Sequence, residues 1–212
     1  MARTIAGIRI PDSVIARQAE ELIKDNEPEF LFNHSVRVYL FGALRGQHLK
    51  QSYDEELLYI ASLFHDLGLI DSYTSAAERF EVDGANAARD FLNGHGIAPD
   101  KISLVWEAIA LHTTPGIPQH MRPEIALTRA GVRMDVVGTD FESFTAQHRD
   151  EVIAAYPRHD FKNAFIDIQA SSARSKPMTT FGTINSDYIE WVDPGFKRVN
   201  QCENILKAPW KD

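Results

Sequence analysis

Cysteine is nearly missing from this chain: among 212 residues there is only Cys202. No disulfide can form within the chain, and a reducing cytoplasm suits it. Positive charge is also short. Lys and Arg number 22 against 30 Asp and Glu, for a net charge of -8. Nucleic acid and anionic membrane both require basic surface, so neither is expected as a main partner, although a local basic pocket is still allowed. No apolar run approaches the ~20 residues of a membrane span. The segment Met1 to Gly7 is too short and too weakly apolar for a signal peptide. Internal repeats, low-complexity tracts and linkers are absent, and strand-like alternation is scarce. What is present is an ordinary globular composition, 44% apolar and 25% charged, long enough to bury a sizeable core as one domain over residues 1–212. A small-molecule substrate is the expected partner. Apolar residues in the weakly patterned C-terminal third serve either a homo-oligomer contact or the monomer core.

Helical periodicity runs through almost the whole chain and predicts an all-α fold. A first helix follows Pro11-Asp12, with Val14, Ile15, Ala19, Leu22 and Ile23 on one face, and ends before Pro28. A second spans about Phe30 to His48, with His34 on the apolar stripe of Leu31, Val38 and Phe41. Ser52-Tyr53-Asp54-Glu55 has capping-box spacing for a third, which the glycine at 68 should stop. Asp83 to Asn86 reads as the cap of a fourth helix. Pro99 opens a fifth, with Ile102, Val105, Ile109 and His112 aligned, and Pro123 a sixth carrying Leu127, Thr128, Gly131 and Asp135. Weaker helices are expected over 144–155, 161–173 and 187–191.

His65 and Asp66 end the apolar stretch beginning at Leu57. An imidazole and a carboxylate in the last turn of a core helix make poor packing and a good metal site. Neighbours on a helix point ~100° apart, so both reach one ion only near the helix end, where the dipole also favours a cation. With His34 and Asp135 they supply two imidazoles and two carboxylates, a set suited to Zn²⁺, Fe²⁺ or Mn²⁺. Each residue has a plainer reading as well. His34 fits a hydrogen-bonded core histidine, His112 a cap on the last carbonyls of its helix, and Asp135 a partner of Arg129 or Arg133. An unpaired buried carboxylate is costly, which weighs against reading the acids that way.

The ordered pattern His34, His65-Asp66, Asp135 resembles the HD-domain superfamily of metal-dependent hydrolases over roughly residues 30–140. The segments Leu63 to Gly68, Arg79 to Ala85 and Ala108 to Thr113, and the stretch from Gly131 to Asp140, are similar to its cyanamide hydratase branch. The resemblance implies an HD-type helical bundle with a C-terminal helical elaboration. It implies zinc, with iron or manganese as alternatives, held by His34, His65, Asp66 and Asp135. It also implies hydration of a small C–N compound such as cyanamide, giving urea. Catalytic roles then fall to Asp66, as proton acceptor, and to His112, which polarises the electrophile or shuttles a proton. Phe64, Thr113 and Thr139 are expected at the substrate, although such threonines also serve as local backbone partners.

Two other classes stay open on the sequence. One is an HD phosphohydrolase acting on a nucleotide or phosphomonoester, for which Arg37 is the best cation, unless it faces solvent. The absence of a glutamate close after Leu67-Gly68-Leu69 departs from deoxynucleotidase-like HD proteins. The other class is a non-catalytic, metal-stabilised binding protein. His95 and His120 are further histidines for a second metal, but no His-His pair occurs, and one metal is expected. Glu81 or Asp83 forms a pocket wall or, in the plainer reading, Asp83 caps a helix while Arg79 pairs with a carboxylate. The loop from Lys176 to Gly182 either closes over the site or only connects helices. Trp106 and Trp191 are read as packing residues.

Overall fold

The computed structural model describes residues 3–209. Met1 and Ala2, at the head of the segment weighed as a signal peptide, and residues 210–212 of the expected domain lie outside the described residues. Within these the fold is all-α, as expected, with ten α-helices and one two-stranded hairpin. The strands, β1 (Thr4–Ile5) and β2 (Ile8–Arg9), pair antiparallel with Thr4 opposite Arg9 and Ile5 opposite Ile8. Ala6 and Gly7 turn between them with φ of 50° and 76°, the two positive values of a tight hairpin turn. Alanine is an uncommon residue there, so the hairpin left little trace in the sequence.

Helix α1 (Val14–Asn26) starts at Ser13, whose hydroxyl accepts from the Ala16 amide. Its buried stripe is Ala16, Ala19 and Ile23; Val14, expected on that face, is 63% exposed at the helix start. Helix α2 (Glu29–His48) is buried along most of its length and forms the axis of the fold. Helix α3 (Glu55–Phe64) is capped by Asp54 rather than Ser52, because the Asp54 carboxylate reaches the amides of both Glu56 and Leu57. It ends earlier than expected, at Phe64, with His65 at the cap and a 3-10 turn over Leu67–Leu69. The glycine at 68 has a different job from the one expected of it. A Cβ there would lie 2.0 Å from the Phe80 carbonyl oxygen, so it lets this turn pack against α4 (Phe80–Gly94). Helix α4 itself begins at Phe80 with Arg79 as its cap residue, which puts Asp83 in the first turn rather than at the cap.

Helices α5 (Pro99–Leu111) and α6 (Pro123–Val137) both place a proline in the first turn. Gly138 closes α6 in the left-handed conformation. The crossing of α2 and α6 sets the site. They run antiparallel with Gly42 facing Leu127 and Val38 facing Gly131; a Cβ on Gly131 would sit 2.0 Å from the Val38 carbonyl oxygen. One more step of four residues along each helix brings His34 to Asp135. Small residues at the crossing let the backbones approach closely enough for those side chains to meet.

Helices α7 (Ala146–Ala155), α8 (Phe161–Ser175), α9 (Asn185–Val192) and α10 (Gln201–Leu206) make the C-terminal elaboration. Phe161 and Phe165 of α8 pack with Leu31 in a small cluster of their own beside the main core. Trp106 packs against the core and donates to Asn86, whereas Trp191, expected to pack, is 78% exposed on α9. No helix among the described residues is long and apolar enough to cross a membrane.

Candidate metal centre

One helix face and two helix ends converge on one buried point. His34 comes from α2, His65 and Asp66 from the end of α3, and His112 from the end of α5; the C-terminal ends of α3 and α5 carry partial negative charge. Among the described residues, donor atoms of His34, His65 and Asp66 all lie within 4.8 Å of one another. His65 Nε2 is 3.2 Å from His34 Nε2 and 3.1 Å from Asp66 Oδ2, and His34 Nε2 is 3.5 Å from the same oxygen. His112 Nε2 stands on the other side of the carboxylate, 3.6 Å from Asp66 Oδ1.

The partners of each ring fix which nitrogen carries the proton. His65 Nδ1 donates to the Ser62 carbonyl at 2.7 Å, and His112 Nδ1 donates to the Ile109 carbonyl at 2.7 Å. His34 Nδ1 donates to Asp135 Oδ2 at 2.6 Å. All three neutral rings therefore turn an Nε2 lone pair inward. Both oxygens of buried Asp66 accept no hydrogen bond from any of the described residues. Lone pairs facing lone pairs around an orphaned carboxylate would be repulsive and poorly solvated. A cation at the focus resolves both problems, so the residues present fit a metal ion. Two imidazoles and one carboxylate match catalytic zinc sites and also the facial triad of non-haem iron.

The titration behaviour follows from the same crowding. Burial, together with the neighbouring His65, pushes the His112 imidazole down to about 4. Burial lowers His34 as well, against the pull of Asp135. Burial also opposes charge on His65, but the adjacent Asp66 outweighs it and raises that ring above its ordinary value. Asp66 is held down to about 2: burial alone would raise it, and the charges of His65 and His34 overcome burial.

Asp135 sits behind His34 rather than within the close group. Its Oδ1 accepts from Arg37 Nε at 2.8 Å and Arg158 Nη1 at 2.6 Å, and its Oδ2 from Arg37 Nη2 at 2.8 Å as well as from His34. These donors hold its carboxyl well below the usual range despite burial. Its partners are Arg37 and Arg158, not Arg129 or Arg133. Arg37 is fully buried and also bonds the carbonyls of Tyr156 and Pro157, so it faces neither solvent nor a substrate phosphate. Phe161 stacks beside His34, 4.9 Å between ring centroids, and lies under both guanidiniums.

Asp66 and His112 open onto a cavity of about 120 Å³. Its wall combines Val132, Val136 and the two arginines of α6 with Phe165, Gln169, Ile184 and Tyr188 from the C-terminal elaboration. Thr113 lines it too, but its hydroxyl is taken by Glu81 Oε1 at 2.5 Å. Phe64 is elsewhere: fully buried, its ring packs on Phe91 rather than on the cavity. Thr139 is also elsewhere, exposed on an outer groove just beyond α6. His95 and His120 are exposed and outside the close group.

Two buried polar joints fasten the elaboration over the core. Lys176 Nζ meets Asp83 Oδ2 at 2.5 Å and Thr74 Oγ1 at 2.8 Å. Asn185 Nδ2 reaches Glu81, which Arg79 also holds at 2.7 Å. The segment after Lys176 is thus anchored on α4 and carries Ile184 into the cavity wall. The sequence reading missed the cavity-facing residues of α8 and α9. One signal was available: Phe161, Phe165 and Gln169 fall four residues apart, a glutamine on an apolar stripe.

Residues 31–140 match the family model described as HD domain. Cyanamide hydratases DDI2 and DDI3 of Saccharomyces cerevisiae are each 23% identical over 186 residues, covering 86% of this chain and 83% of the relative. The family match takes in more than half of the chain and contains the converging His34, His65, Asp66 and His112 together with Asp135 behind them. The chain belongs to the HD-domain family.

Proposed function

We propose that this chain is a metal-dependent hydratase or hydrolase that adds water to a small C–N compound of the cyanamide kind, working as a single domain with zinc as its metal. His34, His65 and Asp66 hold the ion, and Asp135 orients His34 while Arg37 and Arg158 fix Asp135. When bound, such an ion acidifies water and polarises a nitrile. His112 is the proton carrier. Its Nδ1 is anchored on Ile109, its Nε2 faces the cavity beside Asp66, and its depressed pKa of about 4 leaves it neutral and able to accept near pH 7. As the carbon–oxygen bond forms, it takes a proton from the attacking water and returns one to the nitrile nitrogen. Hydration needs no leaving group. Val132, Val136 and Phe165 keep bulk water out.

The observation that carries this reading is the size of the cavity at the orphaned carboxylate. A volume of about 120 Å³ is small for an organic-ligand site. Sites for larger organic ligands run to ~300–1,000 Å³. That size favours a compact substrate over a nucleotide, and Arg37, the cation expected for phosphate, is fully engaged with Asp135 and backbone carbonyls. The relatives named cyanamide hydratase support the same substrate size.

The test is metal analysis of purified protein followed by urea release from cyanamide, set against nucleotides and phosphomonoesters. One equivalent of zinc with urea formation is expected. Two equivalents of iron or manganese with phosphate release would overturn the reading.

A further inference from the structure

Helix α6 lines the cavity with a face at positions i, i+3, i+4 and i+7: Arg129, Val132, Arg133 and Val136. The two valines do what an apolar wall should. The two arginines do not. The chain carries a net charge of -8, an excess of carboxylates, yet among the described residues no Asp or Glu lies within ion-pair distance of either guanidinium. The nearest acid in sequence, Asp135, is taken by Arg37 and Arg158. Among the described residues half-buried Arg129 bonds only the His112 carbonyl, at 3.0 Å, and Arg133, exposed at the cavity's outer edge, makes no side-chain hydrogen bond. The same pair also lines a groove on the outer side of α6, beside Arg45, so it stands between solvent and the metal centre. Like charges one helical turn apart repel one another. Burial and the charge of Arg133 both pull Arg129 below its ordinary value.

We propose that Arg129 and Arg133 form the anion-binding end of the substrate site, so that the compound hydrated is a small nitrile or cyanamide bearing a carboxylate. The carboxylate lies between the two guanidiniums and the C–N group reaches Asp66 and His112. This rests on the hydratase reading for its chemistry, but the anion site itself is measurable without turnover. Planar guanidiniums suit a carboxylate, and the apolar stem of such a substrate meets Val132 and Val136.

The experiment has two arms. In the first, acetate and inorganic phosphate are titrated calorimetrically into the metal-loaded protein, its Arg129→Gln and Arg133→Gln forms, and Arg89→Gln as a charge-matched control outside the cavity. Acetate should bind, and either cavity substitution should weaken it about tenfold or more while the control does not. In the second, kcat/KM is compared for N-cyanoglycine and cyanamide. The wild type should favour the carboxylate, and the ratio should fall about tenfold in each cavity variant. Acetate binding that ignores both substitutions, phosphate binding tighter than acetate with the same arginine dependence, or a ratio unmoved by them would each overturn the proposal. Arginine-dependent acetate binding without hydration of either compound would instead sink the hydratase reading and leave the anion site standing.

Discussion

Gly131 is where a single methyl group tests the whole construction. In Gly131→Ala the new Cβ would sit 2.0 Å from the Val38 carbonyl oxygen, against about 3.4 Å for ordinary contact, so α2 and α6 must part by about 1.4 Å. The obstacle is backbone and cannot rotate aside. Overpacking of this kind costs ~3 kcal/mol at its upper end, and the better helix propensity of alanine returns ~1 kcal/mol, leaving a net loss of about 2 kcal/mol. If the separation persists one turn further, the His34–Asp135 hydrogen bond lengthens from 2.6 Å to about 4 Å and is lost. A histidine ligand without its orienting carboxylate binds metal roughly 10–100-fold more weakly. Urea denaturation of the metal-free protein reads the first quantity, and competition with a chromophoric chelator reads the second. Gly94→Ala is the control, because a Cβ there meets nothing within 4 Å; it should be neutral or slightly stabilising. Should Gly131→Ala match that control in both assays, the argument from the helix crossing fails.

Three further outcomes follow from the site. His65→Ala should lose bound metal and activity together, whereas His112→Ala should keep most of its metal and lose turnover; elemental analysis beside urea release decides, and full metal occupancy in His65→Ala refutes the ligand assignment. Asp135→Asn leaves buried Arg37 and partly buried Arg158 without a counter-charge. Denaturation should register a loss of ~3–5 kcal/mol, and a loss under 1 kcal/mol would contradict the pairing. Glu27 is buried with one oxygen unpartnered, and burial, helped by the Asp66 charge, raises its carboxyl well above the ordinary range. The fold then retains a proton that the unfolded chain has released, so stability falls as pH rises through that window. In the metal-free protein, Glu27→Gln should therefore gain stability near pH 7 and equal the wild type below about pH 4; equal stability at both values would refute the assignment.

The parts of this fold governed by local rules were legible in the sequence. Prolines at 99 and 123, the glycine at 138 and the apolar stripes marked α5 and α6 closely, because caps and periodicity are written over a few neighbouring residues. The convergence of His34, His65-Asp66 and Asp135 was legible as a pattern of polar residues on apolar stripes. Its division of labour was not. Whether Asp135 touches an ion or steadies a histidine depends on Arg37 and Arg158, and Arg158 approaches from a loop 23 residues away. The end of α3 was misplaced because the glycine at 68 resembles a helix stop, although its backbone serves the packing of α4. Thr139 and Phe64 neighbour functional residues in sequence but point elsewhere, the cost of reading adjacency as proximity.

The wall formed by Phe165, Gln169, Ile184 and Tyr188 lies wholly downstream of residues 31–140. The other half of the cavity wall, Arg129, Val132, Arg133 and Val136, lies within that stretch, so the downstream residues can be redrawn by evolution without disturbing either the converging side chains or the arginine face. A chimera joining this chain up to residue 140 with the downstream portion of a relative should take on the relative's shape selectivity while keeping the preference that Arg129 and Arg133 impose, provided its incoming segment brings equivalents of Lys176 and Asn185 to grip α4.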